Sequence, residues 1–500
     1  MSKSKPYIYA FGSNSSGQLG IGHEEDTFIP TRCIFEDEDE YEYEEESEED
    51  IKATTMTTTA KGECENENSM PIQIATGGNH TIILFNGGYN HGYGYGNGKG
   101  EEQRVYTAGY NKDGRCGIPI PISRVKVRLN ENENENEIGS NQEEQEQREQ
   151  EEQPKDSDSD GSTSLLRFRR VTLGLGGKTS TKTKHNPPIK LISATWEASF
   201  FVVMSSSDSS CITDKIYVTG TGLKGELGLG SSQHHCPYPH PIPDFPPPSS
   251  SSSYSHINTT SKENKPTPTT IKAISSGMSH TVVVLSNGTI YGWGASRKGQ
   301  LGPILKERKF VYTPSRIDGV DFPVLNVSCG REFTVLYGDR NLVILGSIDN
   351  RWGLFSKIGG GGDLFSGIRI IKEKEMESML KLQFSIGFNS ISSSWNGVYV
   401  HLDDERVVAW GRDDRGQIPH DGSLLWKMIA VGSEHGLGLL DDEKTVLAFG
   451  WGEHGNCGAE SDERGDVKGR CNVVMSPGML GGSKVIGLAA GCATSWIVVL

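Results

Sequence analysis

The sequence predicts an all-β fold: a seven-bladed β-propeller closed by pairing of its N- and C-terminal strands. Three observations predict it. One glycine-punctuated motif recurs seven times, a second motif alternates strictly with it, and the chain starts in the first and stops in the second. Regular self-similarity built from short strand-like segments marks a radial β architecture.

The first motif is a pair of β-formers, Gly, four residues, Gly, a polar residue, an apolar one, and Gly. Its copies are YAFGSNSSGQLG (Gly12, Gly17, Gly20), YTAGYNKDGRCG (Gly109, Gly114, Gly117), YVTGTGLKGELG (Gly220, Gly225, Gly228) and YGWGASRKGQLG (Gly294, Gly299, Gly302). ILGSIDNRWG, from Gly346, is one residue short; VAWGRDDRGQIP, from Gly411, ends on Pro419; AFGWGEHGNCG carries Gly450, Gly455 and Gly458. The second motif is an apolar residue, two small residues, Gly, two residues, His-Thr or a substitute, then an apolar run. It appears as IATGGNHTIIL (His80), ISATWEASFFV (Trp196), ISSGMSHTVVVL (His280), VSCGREFTVLY (Phe333), ISSSWNGVYV (Trp395), IAVGSEHGLGLL (His435) and LAAGCATSWIVVL (Trp496).

Val, Ile, Tyr and Trp suit a pleated surface, and the glycines mark tight connections that need φ > 0. From a second motif to the next first motif the later spacings are 17, 16 and 18 residues, the length of one hairpin. One hairpin per repeat, seven times, gives one sheet per blade. Residues 7–11 and 496–500 then belong to one blade, which removes the exposed edges of an open array. The spacing from first to second motif is variable, and the extra length reads as loops leaving one face: an acidic insert (36–68), an acidic then basic low-complexity insert (131–187) and a Pro/Ser-rich insert (231–268) within a single 1–500 propeller.

Charge follows these inserts. Residues 36–50 carry −12 and residues 131–160 carry −11, so a formal net charge of −16 leaves +7 on the remainder. Runs of like charge repel themselves and stay solvated. No stretch of 18 apolar residues is present, which argues against a membrane-spanning helix, and MSKSKPYIYAFG lacks the apolar core of a secretory signal. Nine cysteines without regular spacing then read as free thiols in a reducing compartment, the cytoplasm with the nucleus as a second location.

These repeats resemble the regulator of chromosome condensation family over nearly the whole chain. The strings YAFGSNSSGQLGIGHEED, GSEHG, WGEHGNCG and GCATSWIVVL look like the alpha-tubulin suppressor, or killer-toxin-insensitivity, branch of its fungal members. The resemblance implies a seven-bladed propeller that is not an enzyme and carries no cofactor. It implies a heterodimer with a small zinc- or iron-binding protein of the diphthamide pathway. It also implies support, through that partner and indirectly through the Elongator complex, for modification of the tRNA wobble uridine and for diphthamide synthesis. The alternative is a guanine-nucleotide exchange factor for a Ran-type GTPase, as in the wider family. Only Lys3 and Lys5 precede the first strand, and the nearest insert is acidic, which disfavours DNA phosphate.

Candidate partner-binding residues are Trp451, Glu453 and His454, in the four-residue gap of the seventh first motif, with Glu434, Trp395 and Trp196 from second motifs. Aromatic residues on a rim are the side chains that dominate protein interfaces. Cys457 stands where other copies have Leu or Ile and reads as a small packed residue. The recurring His80, His280 and His435 read as structural hydrogen-bonding groups, and Trp496, in an apolar run, as core. The cluster RFRR at 167–170 reads as a basic loop neutralised by acidic neighbours, or as a contact to tRNA. GLGGKTS lacks the first glycine of a phosphate loop, because Thr172 stands there. GYGYGNGKG has the wrong spacing for a dinucleotide site, and His234, His235 and Cys236 have no second ligand pair and read as a surface loop.

Overall fold

The structure is a computed structural model that describes residues 6–36, 72–85, 103–119, 164–173, 188–205, 213–247, 269–347, 352–354, 368–371, 387–419 and 422–500. The strands follow the repeat. The first motif of the chain supplies β1 (Tyr7–Gly12) and leads to β2 (Thr27–Arg32). The second blade is β3 (Ile72–Thr76), β4 (His80–Phe85), β5 (Arg104–Tyr110) and β6 (Ser164–Arg170), and the third is β7 (Ile189–Ala194), β8 (Ala198–Ser205), β9 (Thr213–Thr221) and β10 (His235–Pro241). The fourth holds β11 (Ile271–Ser276), β12 (His280–Leu285), β13 (Ile290–Ala295) and β14 (Phe310–Arg316), with a one-turn helix, α1 (Pro303–Lys306), before its last strand. The fifth is β15 (Asn326–Cys329), β16 (Phe333–Tyr337), β17 (Leu342–Gly346) and β18 (Ile368–Ile371). The sixth is β19 (Phe388–Ser393), β20 (Gly397–Leu402) and β21 (Val407–Gly411), and the seventh β22 (Met428–Val431), β23 (His435–Leu439), β24 (Val446–Trp451) and β25 (Asp466–Met475). After a second one-turn helix, α2 (Pro477–Leu480), β26 (Val485–Ala490) and β27 (Thr494–Val499) return to β1 and complete the first blade.

Each sheet is an antiparallel meander, and among the described residues six have four strands and the sixth blade has three. The first blade runs β2-β1-β27-β26, with Tyr7 opposite Val499 and Gly12 opposite Thr494, so the two ends of the chain close the ring. The innermost strands β3, β7, β11, β15, β19, β22 and β26 each pack on the next, and β26 packs on β3. Second strands such as β12, β20 and β27 are buried along their whole length. They lie between two neighbouring sheets, which is why the sequence shows unbroken apolar runs there rather than alternation.

The middle glycine of the first motif has a second function beyond its turn. Gly114 has φ 78°, and a Cβ on it would lie 2.3 Å from the Pro237 carbonyl oxygen on the third blade's outer strand. Gly455 likewise meets the Thr27 carbonyl across the ring closure. Each loop backbone therefore rests on the neighbouring blade, and only glycine permits that approach.

Three sequence expectations are corrected. Residues 164–170, inside the expected 131–187 insert, form β6, and residues 235–241, inside the expected 231–268 insert, form β10. Both are outer strands that bury few residues, with charges or prolines among the rest, which is why they do not read as strands. The His234, His235 and Cys236 run is therefore no surface loop: Cys236 is buried in the core and His235 opens a strand. Nor do the inserts all leave one face. The described residues flanking 37–71 and 248–268 join an outer strand to the next inner strand, at one end of the propeller. Those flanking 120–163 join a third strand to a fourth, at the other end.

Candidate functional site

In an antiparallel meander the turn between first and second strands and the loop between third and fourth leave the same end of the sheet. Here these are the second-motif turns and the first-motif loops, and together they make one face of the ring. All six candidate residues lie on it.

Trp196 and Trp395 stand in the inner turns of the third and sixth blades, on opposite sides of the central channel. Their rings meet across it, with centroids 5.9 Å apart and planes tilted by 39°. Their backbones are fixed by bonds between blades. Trp196 N donates to the Met278 carbonyl (3.0 Å) and its own carbonyl accepts from Gly78 N (2.9 Å). Trp395 N donates to the Ser433 carbonyl, Ser433 N to the Gly491 carbonyl, and Arg331 N to the Trp395 carbonyl. The channel mouth is a cavity of about 170 Å³ lined by the inner turns of all seven blades. The Arg331 guanidinium lies over the Trp395 ring, 5.0 Å from its centroid.

Glu434 is buried at the joint between the sixth and seventh blades. Its carboxylate accepts from Arg412 Nη1 (2.8 Å), Gln417 Nε2 (2.8 Å) and Asn396 Nδ2 (3.4 Å). Arg412 also donates to Asp414 (2.6 Å) and stacks on Trp352 at 4.8 Å. Its hydrogen bond to Asp414 raises the Arg412 pKa, and in return Asp414 is held below the ordinary carboxylate range. Glu434 is thus committed to anchoring Arg412 rather than displayed on the surface.

Further out, the Trp451 loop forms the rim. Trp451 Nε1 donates to Glu453 Oε2 (3.1 Å), and the indole meets the His454 ring edge-on at 5.4 Å. His454 Nδ1 lies 2.8 Å from Asp26 Oδ2, which ties the seventh blade to the first across the closure. The Arg415 guanidinium lies 5.6 Å from the Trp451 centroid and bridges to Asp466, whose pKa burial raises despite that partner. Cys457 is wholly buried in the core, and burial pushes its thiol pKa up.

From channel to rim, among the described residues, the face therefore carries three arginine–tryptophan stacks: Arg331 on Trp395, Arg412 on Trp352 and Arg415 on Trp451. Each guanidinium sits where a ring's negative face attracts it. The tryptophans are half-buried, which leaves part of each indole exposed. Sequence reading found Trp395 and Trp451 but missed Trp352 and the three arginines. Arg412 and Arg415 lie in the gap of RDDRG, at the spacing of the Trp451 gap one blade on. Nothing in a linear sequence shows that gaps of adjacent blades meet.

The histidines take a structural part. His80, His280 and His435 are buried, and each Nε2 is within 2.9–3.0 Å of a hydroxyl on the next blade: Ser199, Thr334 and Ser495. Each hydroxyl donates to a first-motif carbonyl, that of Arg115, Gln300 or Asn456. A hydroxyl has one proton, so the imidazole must donate from Nε2. Burial lowers the pKa values to about 3 for His80 and about 4 for His280 and His435. Trp496 is core, packed against Phe168 at 6.1 Å. In RFRR, Phe168 is also core and Arg169 bonds Glu36 (2.6 Å), so the cluster is an edge strand neutralised in part by an acidic neighbour. GLGGKTS and GYGYGNGKG lie outside the described residues.

The regulator of chromosome condensation (RCC1) repeat matches residues 7–39 and 287–337, and a second description of the same repeat matches residues 271–300. An RCC1 repeat-containing protein of Schizosaccharomyces pombe is 24% identical over 98% of this chain and 98% of its own length. The secretion-regulating guanine nucleotide exchange factor of Mus musculus is 18% identical over 90% of this chain and 75% of its own. Prp20p of Saccharomyces cerevisiae, solved in a study of its binding to Gsp1p and histones, aligns with a TM-score of 0.58 at 15% identity, over 100% of this chain and 92% of that one. The likeness in structure supports the fold, and the repeat matches show that these segments resemble RCC1 repeats. Among the described residues no helix is long and apolar enough to cross a membrane.

Proposed function

We propose that the protein is a non-catalytic scaffold that binds a protein partner on the loop face, from the Trp196–Trp395 pair to the Trp451 loop. One observation carries this reading: three arginine–tryptophan stacks on one rigid surface, with Glu434 locking the central arginine from below. Tryptophan and arginine are the residues most enriched at interface hot spots, and pre-ordered side chains lose little entropy on binding. Glu453 and His454 extend the surface at its rim.

The partner we assign is a small zinc- or iron-binding protein of the diphthamide pathway. Through it the scaffold would act in Elongator-dependent wobble-uridine modification and in diphthamide synthesis. Support for this finer reading comes from the WGEHGNCG and GCATSWIVVL strings and their likeness to the alpha-tubulin suppressor branch. The second reading, nucleotide exchange on a Ran-type GTPase, is favoured by the exchange-factor relative and by the binding of Prp20p to Gsp1p. Calorimetry of the full chain separates the two. The first predicts a one-to-one complex with the small metal protein and no acceleration of nucleotide release from the GTPase. Accelerated release without a complex supports the second.

A further inference from the structure

The fourth blade carries a basic loop that the proposed interface does not use. Between β13 and β14 the chain reads ASRKGQLGPILKERKF, and Arg297, Lys298, Lys306, Arg308 and Lys309 are all exposed. Among the described residues none of the five makes an ion pair or a side-chain hydrogen bond, whereas Arg412 and Arg415 on the same face are both paired. One carboxylate, Glu307, lies among them.

The loop is built, not slack. Leu305 is buried beneath it. Lys306 N bonds the Gly302 carbonyl, Lys309 N the Lys306 carbonyl, and Ser296 N the Lys309 carbonyl (2.8 Å). That last bond sets Lys309 beside Arg297. The Lys306 stem passes 3.6 Å from the Cβ position of Gly299, which sets it beside Lys298. Two segments, 297–298 and 306–309, therefore converge into one cationic knuckle. Next to it stand three half-exposed rings in a row: Phe310 and Tyr312 with centroids 6.4 Å apart, and His234 from the neighbouring blade 6.4 Å from Tyr312.

Unpaired cations held close together at the expense of mutual repulsion point to an anionic ligand. Cations alone would suit any polyanion, but adjacent aromatic faces suit one that also presents planar bases. We propose that residues 297–309 bind the phosphate backbone of a single-stranded nucleic acid, with Phe310, Tyr312 and His234 as stacking surfaces for its bases. The site lies on the same face as the arginine–tryptophan stacks but on the fourth blade, shares no residue with them, and stands or falls independently of the partner assigned above. It also differs from the RFRR stretch, whose Phe168 is buried and whose Arg169 is already paired.

The test is fluorescence anisotropy with the full chain, at 50–200 mM salt, against four labelled probes: a 12-nucleotide oligouridine RNA, the matching oligothymidine DNA, a 12-base-pair DNA duplex and a polyglutamate peptide. Single strands are expected to bind in the micromolar range, with a slope of log K against log salt of about −2 to −3.5 for three to five phosphate contacts. The RNA and DNA arms show which sugar is preferred. The combined Lys298→Glu, Arg308→Glu and Lys309→Glu variant is expected to bind at least tenfold more weakly and with a flatter slope, with an unchanged far-UV spectrum. Tyr312→Ala is expected to weaken binding at least fivefold at unchanged slope. Equal binding by the charge-reversed variant would overturn the proposal. So would tighter binding of the duplex, or of polyglutamate, which would mark the knuckle as a site for duplex phosphate or for an acidic protein.

Discussion

Between pH 7 and pH 5 the folded propeller is expected to lose about 5–6 kcal/mol of stability through three buried histidines, about 2 kcal/mol each. The sign follows from their depressed pKa values. In the folded state His80, His280 and His435 stay neutral down to pH about 3 or 4, whereas in the unfolded chain they take up protons near pH 6.5. Protons therefore favour the unfolded chain, and stability that is complete above pH 7 falls as the pH drops from 6.5 toward 4. Protonation in place is blocked because each Nδ1 is buried without an acceptor among the described residues. The fifth blade supplies a control from the same molecule. There the ring at the histidine position is Phe333, and the residue facing it on the next blade is Val398 instead of a hydroxyl. Installing that pair at the closure, His435→Phe with Ser495→Val, should reduce the pH 7-to-5 loss by about 2 kcal/mol. Urea unfolding followed by tryptophan fluorescence at both pH values reads the difference. An unchanged pH dependence in the double variant would refute the role assigned to His435.

Glu434→Ala is expected to destabilise the protein by roughly 3–5 kcal/mol, because it leaves a buried guanidinium edge and two amide donors without their shared acceptor. Arg412, Gln417 and Asn396 all donate to this one carboxylate, and it sits where the sixth blade meets the seventh. Asp414 still holds the outer edge of Arg412, so the arginine stays charged and the cost falls on the joint. A fall in Tm of about 5–10 °C is the expected reading in thermal denaturation. Partner affinity should fall with it at temperatures where the protein is still folded, since Arg412 would lose its fixed position over Trp352. A Tm within 1 °C of the parent would show that the joint does not depend on this network.

The repeat made most of the fold legible before any coordinates. Glycine spacing is a local signal with a steric cause, so seven degenerate copies still declare themselves. Closure by residues 7–11 and 496–500 followed because each end supplied half a blade. Outer strands were harder. β6 and β10 lie at an edge, bury only Leu165 and Phe168 in the one and Cys236 in the other, and carry mostly charged, polar or proline residues elsewhere, so RFRR and HCPYPHP read as loops. The candidate site was half legible for a different reason. Trp196, Trp395 and Trp451 stood out as bulky residues at turn positions, but their partners come from other blades. Arg331, Arg412 and Trp352 are ordinary loop residues until the ring brings neighbouring turns together. Glu434 was named from its motif position alone, and only the packing shows it buried beneath Arg412.

One measurement tests most directly whether the loop face binds the partner. Calorimetric titration of the small metal protein into the full chain should be compared with Trp451→Ala, Arg415→Ala and, on the opposite end of the propeller, Lys272→Ala. A hot-spot tryptophan or arginine is worth about 2 kcal/mol or more, so either loop-face variant should weaken binding by roughly thirtyfold. Lys272→Ala should bind as the parent does. Equal affinity for all three, or a loss confined to Lys272→Ala, would contradict the assignment of the face.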